Sequence, residues 1–159
     1  MILRVSGDNM GLDCYVVHGN DRDKSFTYED DDRIKDIQLC GGMFSGGGFD
    51  GSFRGKVYDP LIQELSEGQH TWYIDQEDED AYIPSGILRI QGDMLNSFLQ
   101  IVEEDSQEDG IELTDDTIVY QTKGRYSSYE EEYTYREVHD LMTLLRVASE
   151  RKAVMCVWY

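Results

Sequence analysis

A chain of 159 residues suits one domain and is long enough to bury a substantial core. Its 33 acidic against 14 basic side chains give a formal net charge of -19, which disfavours direct binding to nucleic acid or an anionic membrane and favours basic proteins or cations. No apolar stretch approaches the roughly 20 residues needed to cross a bilayer, no basic-then-apolar leader opens the chain, and the three cysteines are scattered. The expectation is a reduced, cytoplasmic protein (host cytoplasm if phage-encoded) forming a single compact domain over residues 1–159.

Met1 to Val5 and Leu12 to His18 read as two strands of an N-terminal hairpin, joined by the turn-forming Ser6 to Gly11. Gly19 to Ser25 reads as a polar loop, and Arg33 to Cys40 as a short half-buried strand. From Cys40 to Lys56 glycine takes seven places between Gly41 and Gly55, which opposes a helix. Phe49, Gly51 and Phe53 are in phase for one face of a bulged strand; a loop displaying its aromatics is the other option. Asp59-Pro60 has the chemistry of an N-cap followed by the first helical residue, and Gly68 that of a stop, so a short helix over about 60–67 is expected. His70 to Asp75 and Ile87 to Gln91 read as strands. Asp93 reads as the cap of a helix over about 93–104, with Leu95, Phe98, Leu99 and Val102 inward. Thr117 to Thr122 is a further strand.

The C-terminus carries the clearest signals. Thr134 and Glu137 have the spacing of a capping box, and Val138, Leu141, Met142, Leu145 and Ala148 share one face of a helix over about 135–150. Ala153 to Tyr159 is apolar throughout and too short for another helix, so it reads as a strand central in the sheet and covered on both faces. Together these elements predict an α+β fold: a largely antiparallel sheet of about five to seven strands with helices on one side.

Motifs for catalysis fail on context. Gly46, Gly48 and Gly51 match a dinucleotide loop, but no helix N-terminus follows to receive a phosphate and Asp50 would repel one. Asp21 to Asp32 begins like a calcium loop, yet Phe26 stands where the turn glycine belongs and Asp32 where a bidentate Glu belongs, leaving at most a weak divalent-cation site. His18, His70 and His139 have no close-spaced partner of metal-site type, and no nucleophile elbow is present. Glu150-Arg-Lys152 has a nuclease-like spacing but sits at a helix end, in a chain that would repel nucleic acid. No catalytic residue, metal or cofactor is therefore expected.

The carboxylates come in runs: Glu29 to Asp32, Asp75 to Asp80, Glu103 to Asp109, Asp115-Asp116 and Glu130 to Glu132. Alternate residues of an extended chain lie about 6.6 Å apart, close to the roughly 6–7 Å between successive phosphates of a nucleic-acid strand. Asp75, Glu77 and Glu79, with Asp78 and Asp80 beside them, can present such a row, as can Glu130 and Glu132 around Glu131. Tyr126, Tyr129, Tyr133 and Tyr135 interleave with the second row, and tyrosine suits interface cores. The expected function is a non-enzymatic acidic inhibitor of immunity, antitoxin or phage anti-CRISPR type, occupying the basic nucleic-acid-binding surface of a target such as a nuclease. The alternatives are an adaptor domain using Phe44, Phe49 and Phe53 of segment 40–56 as an apolar contact, and a weak divalent-cation-binding protein.

Overall fold

The computed structural model describes residues 12–41, 49–73, 81–126 and 130–158. The first strand of the expected N-terminal hairpin lies outside them. The chain enters β1 (Asp13–His18), turns through Gly19-Asn20 into β2 (Asp21–Ser25), and makes a single 3-10 turn (Asp32–Ile34). β3 (Ser52–Arg54) leads straight into α1 (Gly55–Leu65), and β4 (Tyr82–Ile83) into α2 (Ser85–Glu108). β5 (Ile118–Gln121), β6 (Glu132–Thr134), α3 (Tyr135–Glu150) and β7 (Val154–Trp158) complete the described chain.

The fold is α+β with antiparallel sheets. The main sheet runs β2-β1-β7-β4, and β3 pairs with the same edge of β1 as β2, end to end with it. β7 lies between β1 and β4, in register from Asp13↔Trp158 to Val17↔Val154, so the C-terminal strand is interior to the sheet. β5 and β6 form a separate two-stranded sheet. One face of the main sheet is sealed: Cys14, Val16, Phe53, Ile83, Met155 and Val157 join the core. The other face is partly open, with Tyr15 42% and Trp158 65% exposed, which corrects the expectation that β7 is covered on both sides.

α3 forms as its local chemistry dictates. Thr134 accepts from the Glu137 amide and the Glu137 carboxylate accepts from the Thr134 amide, a complete capping box. Val138, Leu141, Leu144, Leu145 and Ala148 are fully buried. α2 packs against α3 at Gly92, where an added Cβ would meet the Arg146 side chain at 2.8 Å, so a larger residue there would push the helices apart.

Several expectations are overturned. Asp21 to Ser25 is a strand although all five side chains are polar and exposed, because an edge strand needs only backbone partners on β1. Arg33 to Cys40 is no strand; the 3-10 turn and an irregular run bury Ile34, Ile37 and Leu39 instead. Residues 70–73 are likewise irregular, with Trp72 fully buried and its indole donating to Gln91 Oε1 at 3.0 Å. Ile87 to Gln91 lies inside α2, which starts eight residues before Asp93. α1 begins at Gly55, so Pro60 is internal and Asp59 caps nothing. Asp59 is buried and accepts from the Trp72 amide (2.6 Å), Thr71 Oγ1 (3.1 Å) and Gln63 Nε2. Burial pushes its carboxyl up from the ordinary value, and those donors hold it back.

Candidate functional site

The described acidic residues divide into those with partners and those without. α2 supplies the second group. Its first half is amphipathic, with Leu88, Gln91, Leu95 and Leu99 inward. Beyond Val102 only Ser106 is buried, so the last two turns project past the core with Glu103, Glu104, Asp105, Glu108 and Asp109 exposed. Gly110, at φ +68°, turns the chain back. The Ile111 amide donates to Ser106 O at 2.8 Å and Ser106 Oγ donates to Ile111 O at 2.6 Å, laying Ile111 to Leu113 along the helix. The two form the walls of a shallow groove of about 620 Å³. A Thr114–Thr117 turn (2.9 Å from the Thr114 amide to Thr117 Oγ1) then leads into β5 and carries Asp115 and Asp116.

Between Arg89 and Lys123 the sequence has nine carboxylates and no lysine or arginine. Asp93 has Arg89 at 3.9 Å and Arg146 at 3.7 Å, and Asp115 has Arg136 at 4.0 Å. Glu103 accepts from the Tyr135 hydroxyl at 2.5 Å, which helps push that phenol up to about 12. Among the described residues no cation stands within 4 Å of Glu104, Asp105, Glu108, Asp109, Glu112 or Asp116. No basic residue occupies the last turn of α2, where the helix dipole already disfavours negative charge.

Elsewhere carboxylates hold the fold together. Glu64, only 4% exposed, accepts from the Lys123 amide (2.7 Å), the Gly124 amide (2.9 Å) and the Tyr120 hydroxyl (2.8 Å). Burial alone would raise its pKa, but these donors outweigh it and leave the group below its ordinary value. Asp140 accepts from the Gln38 amide at 3.1 Å and from Arg136 Nε at 3.4 Å, pinning the irregular 35–39 run to α3.

The residues singled out from sequence fall into three sets. Asp75, Glu77, Asp78, Glu79, Asp80, Phe44 and Tyr129 lie outside the described residues. Glu130 and Glu132 are exposed at β6, with Gln121 Nε2 donating to Glu132 at 2.8 Å, while Glu131 is half-buried and its carboxyl is raised by burial and by Glu137. Tyr126 is 40% exposed and its ring covers Gly68. Phe49 and Phe53 are core residues, 0% and 1% exposed. Phe53 sits 5.6 Å from the Trp72 ring and 5.9 Å from that of Tyr58, so neither phenylalanine is an exposed contact for a partner. Asp21 and Asp23 of the calcium-like stretch lie on exposed β2, and among the described residues no three His, Cys, Asp or Glu side chains converge. No helix among the described residues is long and apolar enough to cross a membrane. The strip from Glu104 to Asp116 did not stand out from the other acidic runs; the signal that marks it is the absence of any base from residue 90 to residue 122.

Comparison with known protein families, with characterised proteins and with solved structures finds no match to this chain.

Proposed function

We propose that this chain is a non-enzymatic acidic binding protein that occupies the basic, nucleic-acid-binding surface of a target protein, in the manner of an immunity, antitoxin or anti-CRISPR inhibitor. The observation that supports this reading is the bare strip at the end of α2. Glu104, Asp105, Glu108, Asp109, Glu112 and Asp116 are exposed and face no cation among the described residues. Residues four apart on a helix rise about 6 Å, so Glu104–Glu108 and Asp105–Asp109 repeat at roughly the spacing of phosphates along a nucleic-acid strand. Exposed unpaired charge of one sign steers association with the opposite sign and rejects like-charged surfaces. Glu130 and Glu132 add exposed acidic charge at β6.

A pull-down from nuclease-treated host lysate at low and at high salt tests the reading. The expected result is capture of a basic nucleic-acid-binding protein at low salt, release by added DNA or RNA, and loss of capture when Glu104, Asp105, Glu108 and Asp109 are replaced by their amides. Capture that ignores salt, nucleic acid and those substitutions would sink it.

A further inference from the structure

The groove beside the strip carries a second kind of chemistry. Gln100, Glu103, Glu104 and Gln107 line its α2 wall, and Ile111 and Leu113 line the opposite one. Ile111 is 58% exposed, and Ile101, on the neighbouring stripe of α2, is 57% exposed. Burial of either is not required by the core, and a surface that works by charge alone has no use for them.

We infer that this groove anchors a basic amphipathic segment of the partner, seating one of its apolar side chains against Ile111 and Leu113 while a neighbouring lysine or arginine reaches Glu103 and Glu104. This rests on the acidic-face reading and narrows it to a place and a partner chemistry. The two walls select against simpler occupants. A purely apolar ligand would strip water from the Glu103 and Glu104 carboxylates without replacing it. A purely polar cation would leave Ile111 and Leu113 wet. A segment that alternates basic and apolar residues satisfies both walls, and the aliphatic stem of a lysine or arginine can lie on Ile111 while its head stays with the carboxylates. A second copy of this chain does not fit, because it would bring like charge to the strip.

The experiment titrates the full chain with two synthetic helical peptides of equal length and equal positive charge, one of lysine and leucine in amphipathic order, the other with serine in place of leucine. Fluorescence anisotropy gives affinities, and amide chemical-shift changes locate the contact. The lysine–leucine peptide should bind at least about tenfold more tightly, with shifts centred on residues 100–113. Ile111→Ser should remove that advantage while leaving the serine peptide unaffected. Gln100→Trp, which fills the groove without touching the core, should do the same. An advantage that survives both substitutions, or shifts centred elsewhere, overturns the groove while leaving the acidic-face reading standing. Failure of both peptides to bind at low salt overturns the two readings together.

Discussion

At one corner of the molecule Asp30, Asp31 and Glu150 meet Arg33 and Arg151; at another, Glu104, Asp105, Glu108, Asp109, Glu112 and Asp116 meet no cation among the described residues. In the first corner the Asp31 carboxylate accepts from the Arg33 amide (3.0 Å), Nε (3.1 Å) and guanidinium (2.9 Å), and from Arg151 at 3.2 Å. Arg33 also reaches Glu150 at 2.5 Å, and Arg151 donates to the Asp30 carbonyl at 2.7 Å. His18 Nε2 lies 3.1 Å from Asp30 Oδ2, close enough for an ion pair although not aligned as a hydrogen bond. The Arg33 guanidinium holds the Asp31 carboxyl far below the usual range. The network fastens the 26–34 stretch to the end of α3. The contrast teaches how to sort charge in an acidic chain: a carboxylate with donors is explained by the fold, and one without them is where a test of binding belongs.

The largest expected effect is on binding. Replacing Glu104, Asp105, Glu108 and Asp109 by their amides should weaken affinity for the basic target by about two orders of magnitude at low salt, mainly through slower association. The matching change in the first corner, Asp31→Asn with Glu150→Gln, should leave that affinity within about twofold. Surface plasmon resonance at several salt concentrations separates the two, and equal losses would erase the distinction between the corners.

Next comes stability. Glu64→Ala leaves two amides and a phenol without their acceptor, and because the loop is open enough for water to replace part of it, the cost should be about 2–3 kcal/mol. Asp31→Ala should cost about 1–2 kcal/mol, with the exposure of Arg33 limiting it. Both carboxyls titrate below their ordinary values in the folded chain, so their contributions are complete above about pH 4.5 and fade as pH falls through and below that point. Asp59 and Glu131, raised on folding, act in the opposite sense: their penalty is present at neutral pH and is relieved as pH falls towards their ordinary values. Urea denaturation of each variant at pH 7 and pH 3.5 should show the Glu64→Ala deficit shrinking at the lower pH. A deficit that is constant or grows would mean that the carboxylate's charge is not what the loop uses.

How much of this was legible in the sequence depends on how local each feature is. α3 was, because a capping box and a three-four apolar repeat involve only near neighbours on one helix. β2 was not, because its five polar side chains carry no pattern and only the pairing with β1 makes it a strand. The start of α1 is hidden because Asp59-Pro60 imitates a cap, while the Asp59 carboxylate is in fact taken by Thr71 and Trp72, twelve and thirteen residues on. Ile87 to Gln91 is too short a run to reveal the helix that Leu88, Leu95 and Leu99 show once α2 is seen whole. The carboxylates themselves were plain, but whether each has a partner is a tertiary fact: Glu64 looks like any other glutamate until Lys123 and Gly124 close over it.

The smallest expected effect divides the two corners most sharply, because it has opposite signs in them. Amide replacement of Glu104, Asp105, Glu108 and Asp109 removes mutual repulsion and an unfavourable interaction with the dipole of α2, so the chain should become more stable by about 0.5–1 kcal/mol. Asp31→Asn should make it less stable. Salt distinguishes the causes further. At about 1 M sodium chloride the screening length falls to roughly 3 Å, so wild type should gain melting temperature and the advantage of the neutralised strip should vanish. The Asp31 network, with its short hydrogen bonds and a carboxylate that is little exposed, should lose much less of its contribution. Thermal melts of both variants at low and high salt read this directly. A neutralised strip that proves less stable than wild type would mean that Glu104 to Asp109 serve the fold after all, and the case for holding them in reserve for a partner would fall with that result.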